Sequence, residues 1–183
     1  MAARRRLLAP GDAAAAGRSL AERLSQAAEF RERARLALYA ALPDELPTRP
    51  LYEIARVQGK VLLWPRIASG GGLEFAPCPR WEDLIPERYG VLVPPPGEAG
   101  VALGGDDLLL VPGVAFDLRG GRLGRGRGYF DRVLGEIGEE GPLSFGVGFE
   151  FQLVEEVPRE PHDRAVGAVV TERRLQRVGE RVR

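Results

Sequence analysis

Four consecutive apolar residues, Leu108-Leu109-Leu110-Val111, constrain this chain more than any other stretch. A strand with one wet face alternates apolar and polar residues. An unbroken apolar run fits a strand covered on both faces, as in a parallel sheet between helical layers. Pro112-Gly113 closes the run, Val114-Ala115-Phe116 follows, and a glycine- and arginine-rich loop extends from Asp117 to Gly128. Beyond it Phe130, Val133, Leu134 and Ile137 recur at helical spacing, so a helix is predicted to begin near Tyr129. Two more strands are predicted, at Ser144–Phe149 and Ala165–Val170. Strands alternating with helices imply an α/β fold: a three-layer α/β/α open sheet, Rossmann-like, in a single domain over residues 1–183.

The first half of the chain is consistent with that reading. Asp12 is the expected N-cap of an alanine-rich helix over residues 13–28, with Leu20 and Leu24 on one face. Residues 35–41 suit either a continued helix or a strand, and Pro43 ends either one. Thr48 and Pro50 signal the start of a helix that Gly59 closes. Val61-Leu62-Leu63-Trp64 reads as a short buried strand ending at Pro65, and Ser69-Gly70-Gly71-Gly72 as a turn. Prolines at 77, 79, 86, 94, 95 and 96 make the middle irregular, and the arginine-rich tail after about residue 172 is expected to fray.

Composition narrows the chemistry. Twenty-six basic residues balance twenty-six acidic ones, which argues against a surface given over to nucleic acid or anionic lipid. Cys78 and His162 are the only residues of their kinds, so a cysteine-rich or multi-histidine metal site is excluded. A metal here must be a hard cation held by carboxylates and ligand oxygens. Nothing around Cys78 marks it as a nucleophile, and a buried, idle thiol is the expectation. No apolar run is long enough to cross a bilayer, and Pro10, Gly11 and Asp12 interrupt the start that Arg4-Arg5-Arg6 and Leu7-Leu8 would give a secretion signal. A cytoplasmic protein is expected, with neither membrane nor nucleic acid as partner.

The loop from Arg122 to Asp131 carries the strongest chemical signal. Gly124, Gly126 and Gly128 alternate with Arg125 and Arg127, letting the backbone approach a ligand and turn its amides toward an anion. The helix behind the loop adds unpaired amides and a positive dipole end. Arg122, Arg125 and Arg127 supply paired donors suited to phosphate oxygens, and Asp131 is placed to hold a divalent cation bridging phosphates. The loop is neither GxxxxGK[ST] nor GxGxxG. A solvated basic hairpin tip and an arginine–glycine contact to nucleic acid are the competing readings. A buried strand leading in and an amphipathic helix leading out favour phosphate binding over both.

Val111-Pro112-Gly113-Val114-Ala115-Phe116-Asp117 followed by Arg122 to Asp131 resembles the signature block of the 5-formyltetrahydrofolate cyclo-ligase family. Weaker similarities extend over nearly the whole chain: Tyr39 with Asp44-Glu45 and Thr48, Gly59-Lys60 with Pro65, Phe151-Gln152, Pro158, and His162-Asp163. The resemblance implies an ATP- and Mg-dependent enzyme. It would phosphorylate the formyl oxygen of 5-formyltetrahydrofolate and close the ring to 5,10-methenyltetrahydrofolate, using ATP as co-substrate and Mg2+ as cofactor. It further implies an ATP-contacting loop of Arg122, Leu123, Gly124, Arg125, Gly126, Arg127, Gly128, Tyr129 and Phe130. The folate would meet Glu45 together with Arg125, Gly126, Arg127, Gly128 and Tyr129. Arg125 and Arg127 would act on the transferring phosphoryl group, and Asp131 would hold magnesium. Asp117 reads as a turn-former, while Gln152 and Asp163 are left without a role.

Four positions depart from the family pattern. The chain begins too late for the usual N-terminal Lys-x-x-x-Arg element, Phe130 replaces a second tyrosine, and Arg127 stands where lysine is common. Gly167 occupies a position expected to bring a further magnesium carboxylate. These departures make a non-catalytic or altered relative that binds nucleotide or folate the alternative to an active ligase.

Overall fold

The computed structural model describes residues 4–5, 7–136, 141–160 and 163–179. Ile137 and His162, named above, lie outside them. Helix α1 is Pro10–Gln26, and a short α2, Ala28–Glu32, follows it. The expected helix over 13–28 therefore begins three residues earlier and is broken near its end. Pro10 takes the first helical position, where its missing N–H costs nothing. Asp12, expected as the N-cap, lies inside the first turn, where its charge meets the helix dipole. Ala27 is extended, with φ −68° and ψ 139°, and separates the two helices.

The ambiguous segment resolves as a strand, β1 (Arg35–Ala37). Helix α3 (Arg49–Val57) leads to β2 (Val61–Ile67), and β3 (Leu73–Pro77) returns beside β2. Thr48 occupies the cap position without capping; its hydroxyl donates instead to the Tyr39 carbonyl at 2.6 Å. Strand β2 continues through Pro65 rather than ending there. Leu63 faces β1, accepting from Leu38, so Pro65, two residues on, turns its nitrogen toward the same side after β1 has ended. Lacking an N–H, Pro65 cannot extend the parallel pairing beyond Ala37, and β2 goes on against β3 alone.

The middle of the chain is largely irregular, as its prolines require, with β4 (Ile85–Pro86) and β5 (Leu92–Val93) paired to each other and Val101 bridged to Phe75 of β3. Then come β6 (Asp107–Pro112), the ribbon of β7 (Ala115–Phe116) and β8 (Arg122–Leu123), α4 (Tyr129–Glu136), β9 (Leu143–Val147), β10 (Ala168–Val170) and β11 (Leu175–Arg177). The expected strands Ser144–Phe149 and Ala165–Val170 are thus shifted or shortened. The tail after 172 is not frayed over its described part: β11 pairs antiparallel with β10, and the Arg177 guanidinium is hydrogen-bonded to Glu29 on α2.

The main sheet has seven strands in the order β11-β10-β9-β6-β1-β2-β3. The five inner strands are parallel and the two edges antiparallel. Leu108 to Val111 are at most 1% exposed, as a strand sandwiched between two layers must be. Leu20, Leu24, Leu51, Tyr52 and Trp64 build the core on the face that carries α1 to α3. Val133 and Leu134 of α4 pack on the opposite face with Leu109, Val111, Phe116 and Val169. The two helical layers and the sheet between them make the three-layer α/β architecture.

Phe116 shows how tightly the α4 face is filled. A Cβ added at Gly113, Gly146 or Gly148 would come within 2.5, 2.6 or 2.9 Å of its ring. Only residues without side chains let the ring lie against β9 and the end of β6. Gly146→Ala is therefore expected to destabilise the fold by about 1–3 kcal/mol through overpacking. Denaturant unfolding of the variant against wild type measures it.

Candidate active site

Strand β1 is where the winding of the sheet reverses. From β1 the chain crosses through α3, on one face, to β2 on one side. From β6, on the other side of β1, it crosses through α4, on the opposite face, to β9. The segments leaving the carboxyl ends of β1 and β6 therefore diverge, and the crevice that this topology puts between them is the usual ligand position in open α/β sheets. The loop after β1 carries Tyr39, Asp44 and Glu45; the loop after β6 carries Gly113, the β7–β8 ribbon and the glycine–arginine segment.

Ion pairs join the two loops. Arg125 Nη2 lies 2.6 Å from Asp44 Oδ1 and 3.1 Å from Glu45 Oε1, and Arg125 Nε donates to that same Glu45 oxygen at 3.2 Å. Asp44 uses its other oxygen for Arg5, 2.8 Å away. Arg5 also reaches the Gly113 carbonyl, at 3.5 Å. Sequence reasoning gave Arg4 and Arg5 no role in the site, and Arg6 lies outside the described residues. The structure brings Arg5, with a side chain only 3% exposed, into it, and sets Arg4 over the Phe151 ring. The only sequence signal for this was the arginine cluster itself.

Burial raises the Glu45 carboxyl, and the Leu42 amide and Arg125 only partly offset that. Burial also pushes Asp44 upward, but the Arg125 hydrogen bond and the charges of Arg5 and Arg125 outweigh it and hold Asp44 below the usual carboxylate range. Tyr39 is pushed well above its ordinary value by burial and by the charge of Glu45. Its hydroxyl is buried with no hydrogen-bond partner among the described residues, and so are Nε of Arg5 and Nε of Arg122. Buried polar atoms are nearly always paired. Three such atoms around one crevice suit a polar ligand.

Within the glycine–arginine segment the expected loop is partly a strand. Arg122-Leu123 pairs antiparallel with Ala115-Phe116. Arg122 is buried: it donates to the Pro112 carbonyl at 3.2 Å and is ion-paired with Asp131 in the first turn of α4. Its charge anchors the loop base to the helix. Leu123, Arg125 and Arg127 are exposed, while Gly124, Gly128, Tyr129 and Phe130 are half-buried. Gly126 and Gly128 take φ values of 83° and 64°, the left-handed region that glycine tolerates. No carbonyl or side-chain oxygen among the described residues accepts from the amides of Gly124, Gly126 or Gly128. Helix α4 makes its first backbone bond from Arg132 to Gly128. The amides of its first turn therefore remain available.

A divalent cation finds little protein coordination here. Among the described residues no group of three or more His, Cys, Asp or Glu side chains could hold a metal ion. Asp131 is a single carboxylate with one oxygen already on Arg122. A cation at this point must take most of its ligands from water and from oxygens of a bound ligand.

Asp117 is more than a turn-former. It is fully buried, and its carboxylate accepts from the amides of Arg119, Gly121 and Val157 at 2.8–2.9 Å and from Arg159 at 3.1 Å. Burial opposes ionisation, yet these donors together lower its pKa. Gln152 is also structural, donating to the carbonyls of Gly113 and Val114 at 2.9 Å each. Asp163 accepts from the Glu160 amide in its own loop. Cys78 is buried, with its thiol pushed up mainly by burial, in keeping with an idle cysteine.

Gly167 does not fill the role expected of its position. It precedes β10 at the edge where the parallel strands begin, and its amide donates to Ser144, which stands level with Leu109. Asp131 and Arg122 meet at the level of Pro112, about 10 Å further along the strands. A side chain at 167 would first meet Leu143 Cδ1 at 3.0 Å and the Ser144 carbonyl at 3.3 Å.

Two measurements follow from this geometry. Asp117→Asn should lose about 1–3 kcal/mol of stability at neutral pH. Because the folded pKa is depressed, the wild-type advantage is full above the unfolded value near 4 and shrinks as pH falls through the folded one; unfolding curves at several pH values test it. Gly167→Asp should leave any magnesium dependence of ligand binding unchanged, as isothermal titration with and without the cation would show.

A model of the 5-formyltetrahydrofolate cyclo-ligase family matches residues 1–172. The 5-formyltetrahydrofolate cyclo-ligase of Escherichia coli K12 is 32% identical over 171 residues, covering 92% of this chain and 94% of that protein. The mouse (Mus musculus) 5-formyltetrahydrofolate cyclo-ligase is 27% identical over 159 residues, covering 79% and 76%. In structure, the 5,10-methenyltetrahydrofolate synthetase of Aquifex aeolicus is similar with a TM-score of 0.83 and 29% identity, over 99% of this chain and 90% of that one.

Proposed function

The chain belongs to the 5-formyltetrahydrofolate cyclo-ligase family, and we propose that it is an active member, closing 5-formyltetrahydrofolate to 5,10-methenyltetrahydrofolate at the expense of ATP. The observation that carries this reading is the meeting of Glu45 and Arg125 across the crevice, which puts a folate-type carboxylate and a phosphate-type guanidinium at one point.

In this reading the formyl oxygen attacks the γ-phosphorus, the bond to the bridging oxygen breaks, and ADP leaves. The 10-nitrogen then attacks the activated formyl carbon. The C–O bond breaks, inorganic phosphate departs, and the nitrogen gives up its proton to solvent. No protein nucleophile is needed. The chain's task is to hold two ligands in line and to neutralise charge on the transferring group. Arg125 and Arg127 supply fixed cations on either side of Gly126, and the amides of residues 124–130 cradle phosphate oxygens. Leu123, Tyr129 and Phe130 complete the wall of the nucleotide site, with Arg122 fixing its base. Glu45 accepts from N–H donors of the pterin edge, and Gly126, Gly128 and Tyr129 border the same ligand. Magnesium, when bound with ATP, offsets phosphate charge, with Asp131 as the carboxylate that this chain offers.

Two departures from the family pattern lose weight here: Arg5 adds a cation close to the crevice, and Gly167 stands away from Asp131. Mixing the protein with 5-formyltetrahydrofolate and MgATP should produce the methenyl chromophore. Arg125→Ala should weaken nucleotide binding about tenfold or more, the value of one hydrogen bond to a charged group. Saturable binding without turnover would instead mark a binding protein, and an unchanged isotherm for Arg125→Ala would remove the loop from the site.

A further inference from the structure

We infer that Glu45 and Arg125 are exchangeable partners that couple the two ligands, so that nucleotide and reduced folate each strengthen binding of the other. The inference rests on the function proposed above and concerns the regulation of that same site.

The groups proposed to meet different ligands are bonded to each other. Arg125 gives both Nε and Nη2 to Glu45 Oε1, while Glu45 Oε2 accepts from the Leu42 amide at 3.0 Å. Glu45 is 9% exposed, so a departing Arg125 leaves a carboxylate with little water to replace it. Nucleotide binding alone would strip Arg125 from Glu45 and strand that charge, which is costly in a buried place. Folate binding alone would place N–H donors on Glu45 and displace the guanidinium. With both ligands present each group exchanges one partner for another, and neither is stranded.

Asp44 makes the exchange a local one. It is bonded to Arg125 through one oxygen and to Arg5 through the other. Arg125 can therefore leave Glu45 while remaining tethered to Asp44 at the same crevice. Asp44 is thus a positioning residue, acting through Arg125.

Linkage requires the effect to be reciprocal, and couplings between sites commonly reach about 5- to 150-fold in affinity. Calorimetric titration of MgATP into the protein, alone and with saturating tetrahydrofolate, measures it; this folate carries no formyl group, so no turnover occurs. In wild type, folate should tighten nucleotide binding at least about fivefold. In Glu45→Gln, which keeps the side chain's size and removes its charge, nucleotide alone should bind tighter than to wild type, and folate should no longer strengthen it. Arg125→Gln, changed at an exposed position, provides the converse: folate affinity should become independent of nucleotide. Independent binding of the two ligands to wild type would overturn the inference and leave the proposed function standing, as would a coupling factor unchanged in both variants. Failure of wild type to bind either ligand would overturn the function and the inference together.

Discussion

Asp44 and Glu45 hold together two loops that leave neighbouring strands in diverging directions. Without a tie of this kind the segments after β1 and β6 would be free to separate, because the helices they lead to lie on opposite faces of the sheet. Buried ion pairs contribute little net stability, since desolvation consumes most of the Coulombic gain. Their effect here is geometric: two carboxylates and the guanidinium groups of Arg5 and Arg125 set the width of the crevice.

The apolar frame beneath determines where those charges can stand. Leu108 to Val111 thread the centre of the sheet, and Phe116 is wedged against glycines of β9 and of the segment leaving β6. Asp117 then pins the turn after β7 by accepting three backbone amides, and Arg122 ties the end of that ribbon to the first turn of α4. Rigid packing on one side of the loop and ionic contacts on the other leave Gly124, Gly126 and Gly128 as the glycines whose amides have no partner among the described residues. Rigidity where the site is anchored and unpaired amides where ligand is expected are what phosphoryl transfer by positioning demands.

Residues whose role depends on neighbours in sequence were legible before any coordinates. The buried strand at 108–111, the helix from Tyr129 and the glycine–arginine loop were readable because hydrophobic period and glycine spacing are local properties. Residues whose role depends on neighbours in space were misread. The segment after 172 looked polar enough to fray, but pairing with β10 and an ion pair to Glu29 give it a place as an edge strand. Gly167 looked like a lost metal ligand, when its level along the sheet separates it from Asp131. Arg5 gave no sign of its burial, because a cation near a chain's start is ordinarily solvated.

The amino-acid sequence by itself determined the layered α/β fold, the place of the glycine–arginine loop and the family resemblance, since periodicity, glycine spacing and a signature block are written along the chain. Only the tertiary structure decided that Arg125 faces Asp44 and Glu45, that Arg122 serves Asp131, and that Arg5 belongs to the crevice. Arg125 stands 81 and 80 positions from Asp44 and Glu45, and the other contacts each pair one charge among many. Coulomb attraction alone cannot choose among twenty-six cations and twenty-six anions; the strand order of the sheet makes the choice.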